Sequence, residues 1–463
     1  MENSDEEKTV VSNNMNLIKT RNDYEFVRFE KDPESKAFKL SENEECSWAK
    51  PDDTFDSNVL RERIEPWLTA LFQSEHLSLL LGSGLTHGIH QIAFKKPAGG
   101  MQPRIFSTYP EEIQDKAAES AIKAGRKEGN IEDQLRVANE LLRGLEILKS
   151  KDAAVLKDEI QNVLADFATS VLNNEKEIAE STKENRNEAL NVLMNFLLSF
   201  ASRTGSRDRL NIFTTNYDRL IELGAELAGL HLLDRFVGNL TPIFRSSRLD
   251  LDMHYNPPGI RGEPRYLEGV SRFTKLHGSV DWIQVGSEIR RVGVPFGTDS
   301  IQPFLNAPGL YGANELQLMI YPNSAKDRET AQYPYVDLFR DFASAICNPN
   351  STLVCYGYSF GDEHINRMIE DMLTIPSTHL VIIAFNDPLG RVEKIYEKIG
   401  RPSQITLLIG PDLADIKELT QKYLPKAAID KASLRMSELL QKRFNCKEKE
   451  ESAKIADKEG GER

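Results

Sequence analysis

Leu77-Ser78-Leu79-Leu80-Leu81-Gly82-Ser83-Gly84-Leu85-Thr86 is the stretch from which the fold can be read outward. An apolar run of strand length that stops at Gly-Ser-Gly reads as a buried strand entering a tight turn. The same grammar recurs downstream. Further strands are expected at 211–215, 273–276, 316–321, 352–358, 380–385 and 404–409. Helical patterns follow at 219 to about 228, 335–345, 363–373, 389–399 and 412–423. Strands alternating with helices predict an α/β fold, a parallel sheet covered by helices on both faces.

Between the first strand and the second lies a long helical stretch, 111–202. Ile131, Leu135, Ala138, Leu142 and Leu145 repeat at four-three-four-three spacing and form one helix face. Asn130 is a good N-cap, and Asp133 suits the positive end of the helix dipole. Ile160, Leu164, Phe167 and Val171 form a second stripe, and residues 189–200 a third apolar helix. The stretch reads as a helical module inserted into the α/β domain. Its apolar stripes fit a gate or an oligomer contact, and equally ordinary packing within one subunit. The first 60 residues are polar and weakly periodic, and are expected to form a partly disordered or loosely attached arm. The α/β domain then spans 61–424, and 425–463 is expected to be a helix followed by a charged tail.

Composition narrows the function classes. Charged residues make up 28 % of the 463 and hydrophobic ones 40 %, which suits a globular protein. The formal net charge of −13 disfavours non-specific nucleic-acid binding, which needs a basic footprint. No apolar run approaches the ~20 residues of a membrane span. The segment Met1-Glu2-Asn3-Ser4-Asp5-Glu6-Glu7 is acidic, where a secretory signal begins basic and turns apolar. A cytoplasmic protein is expected. The four cysteines, Cys46, Cys347, Cys355 and Cys446, form no C-x-x-C pair. Neither a zinc knuckle nor a redox dithiol is indicated, and Cys347 and Cys355 read as core thiols.

In open α/β sheets, ligands bind beyond the carboxyl ends of the strands. Four segments there carry polar residues. In Gly82-Ser83-Gly84-Leu85-Thr86 the glycines let the backbone approach a phosphate, and the helix start offers N–H groups. The same residues also make an ordinary strand-to-helix turn. Thr214-Thr215-Asn216-Tyr217-Asp218 brings Asn and Asp together at a helix start, where Asn216 also reads as a cap. In Lys275-Leu276-His277-Gly278-Ser279, His277 can serve as a general base near neutral pH or as a hydrogen-bonded structural histidine. Tyr356-Gly357-Tyr358-Ser359-Phe360-Gly361-Asp362 reads as a ribose or phosphate contact through Gly357 and Ser359, or as a glycine turn. His364 and Asn366 fall on the helix beyond.

The order of these four segments resembles the sirtuin family, over roughly 77–424 with the helical module as an interruption. The resemblance implies a Rossmann-like NAD⁺ site. Gly82, Ser83, Gly84 and Thr86 would meet the phosphates. Asn216 would orient the attacked ribose or a water, Asp218 would hold the nicotinamide carboxamide, and His277 would be the base. Gly357 and Ser359 would meet the ribose side, and Asn386 the adenosine ribose.

The departures from that family are equally informative. Sirtuin deacylases carry two C-x-x-C pairs between the His-Gly and Gly-Thr-Ser motifs. Here 277–357 contains only Cys347 and Cys355. Gly-Thr-Ser reads Gly357-Tyr358-Ser359, Ser83 replaces the usual Ala, and the acyl-lysine channel segment is replaced by Met319-Ile320-Tyr321-Pro322-Asn323. These features resemble the divergent bacterial sirtuin-like proteins of anti-phage defence, with the run from Gly357 to Asn366 the most typical of that group. The resemblance implies metal-free NAD⁺ hydrolysis to nicotinamide and ADP-ribose, depleting the cofactor in abortive infection. It also implies an oligomer with a separate HerA-type ATPase partner. Two other readings stand beside it: a non-catalytic NAD⁺ or ADP-ribose sensor, and a zinc-free deacylase or ADP-ribosyltransferase.

Overall fold

The computed structural model describes residues 15–426, apart from 21–22, 43, 51–52, 100, 124–125, 127, 204–206, 257–264, 314–317 and 321–332. In chain order the strands are β1 (Met15–Lys19), β2 (Val27–Lys31), β3 (Phe38–Leu40), β4 (His76–Leu81), β5 (Leu210–Thr214), β6 (His231–Leu233), β7 (Phe236–Val237), β8 (Ile243–Phe244), β9 (His254–Tyr255), β10 (Arg265–Tyr266), β11 (Val270–Lys275), β12 (Gly278–Val285), β13 (Glu288–Arg291), β14 (Leu318–Ile320), β15 (Ser351–Tyr356), β16 (His379–Ala384) and β17 (Ile405–Ile409). The helices of eight or more residues are α1 (Ser57–Phe72), α2 (Ser83–Phe94), α3 (Pro110–Lys123), α4 (Ile131–Ile147), α5 (Asp152–Glu180), α6 (Lys183–Ala201), α7 (Leu220–Leu227), α8 (Tyr335–Ile346), α9 (Glu363–Leu373) and α10 (Arg391–Ile399).

Among the described residues the main sheet has ten strands in the order β3-β2-β1-β17-β16-β15-β4-β5-β11-β6. From β17 through β6 all neighbours run parallel. The central strands read as unbroken apolar runs because helices cover both faces. On one face α1, α2, α6 and α7 bury residues such as Leu60, Ile89, Phe196 and Ile221. On the other, α8, α9 and α10 bury Phe342, Ile369 and Val392. The α/β, Rossmann-like architecture is therefore the one the alternation predicts.

Three expectations need correction. Residues 15–40 are not a loose arm: β1 pairs antiparallel with β17, and β2 and β3 continue the sheet. Ile18, Val27, Phe29, Phe38 and Leu40 are buried there on one face of the sheet, and Leu17 of β1 is buried on the other. The strand expected at 316–321 exists as β14, but it pairs antiparallel with β12 in a separate five-stranded sheet, β14-β12-β13-β8-β7. The helix expected at 412–423 is broken. Asp415 leaves the helical region and its carboxylate caps the next turn through the Lys417 and Glu418 N–H groups.

The helical stretch also divides. The α6 residues Ala189, Leu193 and Phe196 belong to the core against the sheet, whereas Ile131, Leu135, Leu156, Ile160 and Phe167 form a separate core. The module proper is thus α3–α5, packed on the second sheet through Val280 and Ile283. No helix among the described residues is long and apolar enough to cross a membrane. The expected C-terminal helix and tail lie outside the described residues beyond 426.

Candidate functional site

Strand register brings the four sequence segments together. Tyr356 pairs with Leu81, Leu81 with Thr214, and Thr214 with Lys275. The strands β15, β4, β5 and β11 therefore end level, and each releases its polar segment at the same edge. The order of connections reverses between β4 and β15, the switch point at which open α/β sheets take ligands.

At that point the glycines pack loop against loop. Gly357 has φ of +60°, and a Cβ on it would lie 2.6 Å from the Gly84 Cα. A Cβ on Gly82 would lie 2.4 Å from the Gly357 oxygen. The Gly84 N–H donates to that same oxygen at 3.0 Å. These glycines are needed for the close approach of two loops, whatever else they contact.

The Asn-Asp segment is held by a short chain of bonds. The Asn216 Nδ2 group donates to the Gly82 carbonyl at 2.9 Å and to Thr86 Oγ1 at 3.0 Å. Because the Gly82 carbonyl can only accept, the amide nitrogen faces it, leaving Oδ1 as the acceptor that Asn216 can offer. The Thr86 hydroxyl donates to Asp218 Oδ2 at 2.6 Å, and Asp218 Oδ1 accepts the Leu220 N–H at 3.1 Å. Thr86, expected at the phosphates, here fixes Asn216 and Asp218. Asn216 does not cap α7, whose N-cap position is Arg219. Below them the buried Lys275 Nζ donates to the Asp218 carbonyl at 2.5 Å and to Glu222 Oε1 at 3.0 Å.

His277 is nearly buried and its Nε2 lies 3.0 Å from Asp362 Oδ2. Asp362 Oδ1 caps α9 through the His364 and Ile365 N–H groups. One carboxylate therefore starts a helix and orients the imidazole. Tyr217, between Asn216 and Asp218, donates from its hydroxyl to Glu132 Oε1 at 3.3 Å, and its ring centroid is 6.3 Å from that of His277. Burial, reinforced by the Glu132 charge, pushes the Tyr217 phenol well above its ordinary value, so it remains a neutral donor.

Two cavities meet here. One, of about 310 Å³, is lined by Asn216, Asp218 and His277 together with Glu132 and Phe167 of the helical module. The other, of about 580 Å³, is lined by Gly84, Gly357 and Asn386. Ser83, His87, Ser359 and Arg391 line both. The His87 Nδ1 is buried without a hydrogen-bond partner among the described residues. Burial, then the charge of Arg126, pushes the Arg391 guanidinium down from its ordinary value. The carboxylates of Glu132, Asp218 and Asp362 and the guanidinium groups of Arg126 and Arg391 all line the first cavity.

Every residue expected at the site lines one or both cavities. The sequence reading missed Asp362, Glu132, His87 and Arg391. Asp362 stood within the quoted Gly-Tyr-Ser segment, and its place before a helical pattern was a capping signal. Nothing in the local sequence marks Glu132 or Arg391, which arrive from other elements. Among the described residues no group of three or more His, Cys, Asp or Glu side chains is arranged to hold a metal. Cys355 is buried, and burial pushes its thiol up.

An α/β fold with a cleft at its switch point defines the class. Within it, residues 210–401 match the family model of a SIR2-like domain, which supports a sirtuin-like family and is compatible with NAD⁺-dependent activity. The match begins at β5, so the β4–α2 glycine turn lies outside it. No curated protein matches the chain.

Proposed function

We propose that this protein is an NAD⁺ glycohydrolase that cleaves the nicotinamide–ribose bond, giving nicotinamide and ADP-ribose. The observation that carries the reading is the convergence of Asn216 and His277 on one cleft beside the glycine turn. NAD⁺ would lie across both cavities, with its nicotinamide ribose by Asn216, Asp218 and His277 and its adenosine side by Gly357, Ser359 and Asn386. Departure of nicotinamide leaves an oxocarbenium-like ribose, as in glycoside cleavage. Fixing the ribose and the carboxamide promotes that step by orientation. His277, held by Asp362, takes a proton from a ribose hydroxyl as nicotinamide leaves and returns it once water has bonded to the ribose. Asn216 Oδ1 orients a water.

The biological reading follows from the resemblance: depletion of NAD⁺ during phage infection by an oligomer controlled by a separate HerA-type ATPase. The test is product analysis on the purified chain with NAD⁺, alone and with an ATPase encoded beside it. Equal release of nicotinamide and ADP-ribose is expected. NAD⁺ bound but intact in both conditions would favour a sensor, and label transferred from NAD⁺ to protein would favour a transferase.

A further inference from the structure

The groups in the first cavity are not equally available. The Asn216 amide nitrogen donates to Gly82 and Thr86, and its amide oxygen can accept a hydrogen bond from water but is too weak a base to take the proton. Both Asp218 oxygens accept bonds from the protein, as do both Asp362 oxygens. Glu132 stands apart. It is partly exposed, lines the same cavity, and meets the Tyr217 hydroxyl at 3.3 Å, long for an O–H···O bond.

An acid in the first turn of a helix has a plainer use, favouring the dipole. In α4 the neighbouring residue fills that use. Asp133 closes the capping box with Asn130 and pairs with Arg126 at 2.7 Å. Glu132 projects into the cleft instead. Hydrolysis of a ribosyl cation needs a base for water as well as a group that assists bond cleavage, and glycoside hydrolysis meets this need with carboxylates.

We infer that Glu132, carried by the helical module, is the base that activates the attacking water; this rests on the glycohydrolase reading. The C1′–N bond breaks and its electron pair leaves with neutral nicotinamide. A water oxygen forms the C1′–O bond while its proton passes to the Glu132 carboxylate and then to solvent. The products are nicotinamide, ADP-ribose and one proton. The module is on this account part of the catalytic site, and its packing sets the fate of the cation.

The experiment compares wild type with Glu132→Gln in the full-length chain. Three rates are read: hydrolysis, exchange of labelled nicotinamide into NAD⁺, and NAD⁺ consumption with added azide, a nucleophile with no proton to lose. Hydrolysis should fall on the order of 10²–10⁴-fold, the range for losing a positioned acid–base group. Exchange should persist, azide should restore consumption by forming the ribosyl azide, and calorimetric NAD⁺ affinity should be unchanged. Unchanged hydrolysis would overturn the inference, as would joint loss of exchange and hydrolysis without azide rescue. A wild type that releases no nicotinamide under any condition would overturn the glycohydrolase reading itself, and Glu132 with it.

Discussion

At the scale of single residues, the site rests on side chains with two tasks each. Asp362 caps α9 with one oxygen and holds His277 with the other. Asn caps a helix about as well as Asp, so Asp362→Asn should fold normally while losing the imidazole's carboxylate partner. Its kcat should drop by up to about 10²–10⁴-fold with little change in NAD⁺ affinity; unchanged kcat would show the pair to be structural only. Gly357 makes the complementary case for stability. Its φ of +60° costs a non-glycine residue about 1–2 kcal/mol, and its Cβ would press on Gly84. Gly357→Ala should therefore be destabilised by more than about 1 kcal/mol, seen as a lower denaturant midpoint at constant slope. The candidate residues were legible because each follows an apolar run directly. The reason for the glycines was not, since the loop they pack against lies far along the chain. The arginine and carboxylate contributions of Arg391 and Glu132 were hidden for the same reason: only the folded chain brings them to the cleft.

At the scale of elements, α5 is the link between the helical module and the cleft. Its Glu175 is fully buried and accepts the Arg219 backbone N–H at 2.7 Å and the Arg219 guanidinium at 2.5 Å, next to Asp218. Burial, opposed by Arg219, pushes the Glu175 carboxyl from about 4.5 up to about 7. Between those values the folded protein holds a proton that the unfolded chain has released. The Glu175 contribution to stability therefore declines as pH rises from about 4.5 to about 7. Glu175→Gln removes that dependence, so the stability difference between wild type and variant should move in the variant's favour across this window. Parallel profiles in thermal melts at stepped pH would contradict the assignment. In the parallel sheet β4, β5, β15, β16 and β17 were legible to within two residues at each end, because full burial leaves long apolar runs; β11 was read three residues short at its start, since Ser271 and Arg272 interrupt it, and the three-residue β6 was not read at all. The short strands β7–β10 and β13 escaped notice, since two to four residues give too little alternation to register, and the eight-residue β12 was missed as well. The β1–β3 meander was missed because β2 and β3 alternate apolar with polar residues and β1 offers only the pair Leu17-Ile18 between Asn16 and Lys19. Deleting residues 1–41 should expose the β17 edge and the apolar face beneath it, lowering the melting temperature and promoting aggregation; an unchanged, monodisperse product would count against this pairing.

At the scale of the whole molecule, function depends on level strand ends. Leu81, Thr214, Lys275 and Tyr356 lie in one register row, and everything beyond that row faces a common cleft. The sequence announced the strands and their order along the chain. It could not announce that the α3–α5 module closes over the cleft, because periodicity reports that a helix has an apolar face and not what that face meets. On the proposed function, this cleft binds NAD⁺ and breaks its nicotinamide–ribose bond through Asn216 and His277. The most direct measurement pairs calorimetric NAD⁺ binding with nicotinamide release for wild type, Asn216→Ala and His277→Ala under the condition in which the wild type is active. His277→Ala should bind NAD⁺ yet turn it over about 10²–10⁴-fold more slowly, and Asn216→Ala should also lose turnover while remaining folded. Undiminished nicotinamide release by both variants would contradict the proposed function.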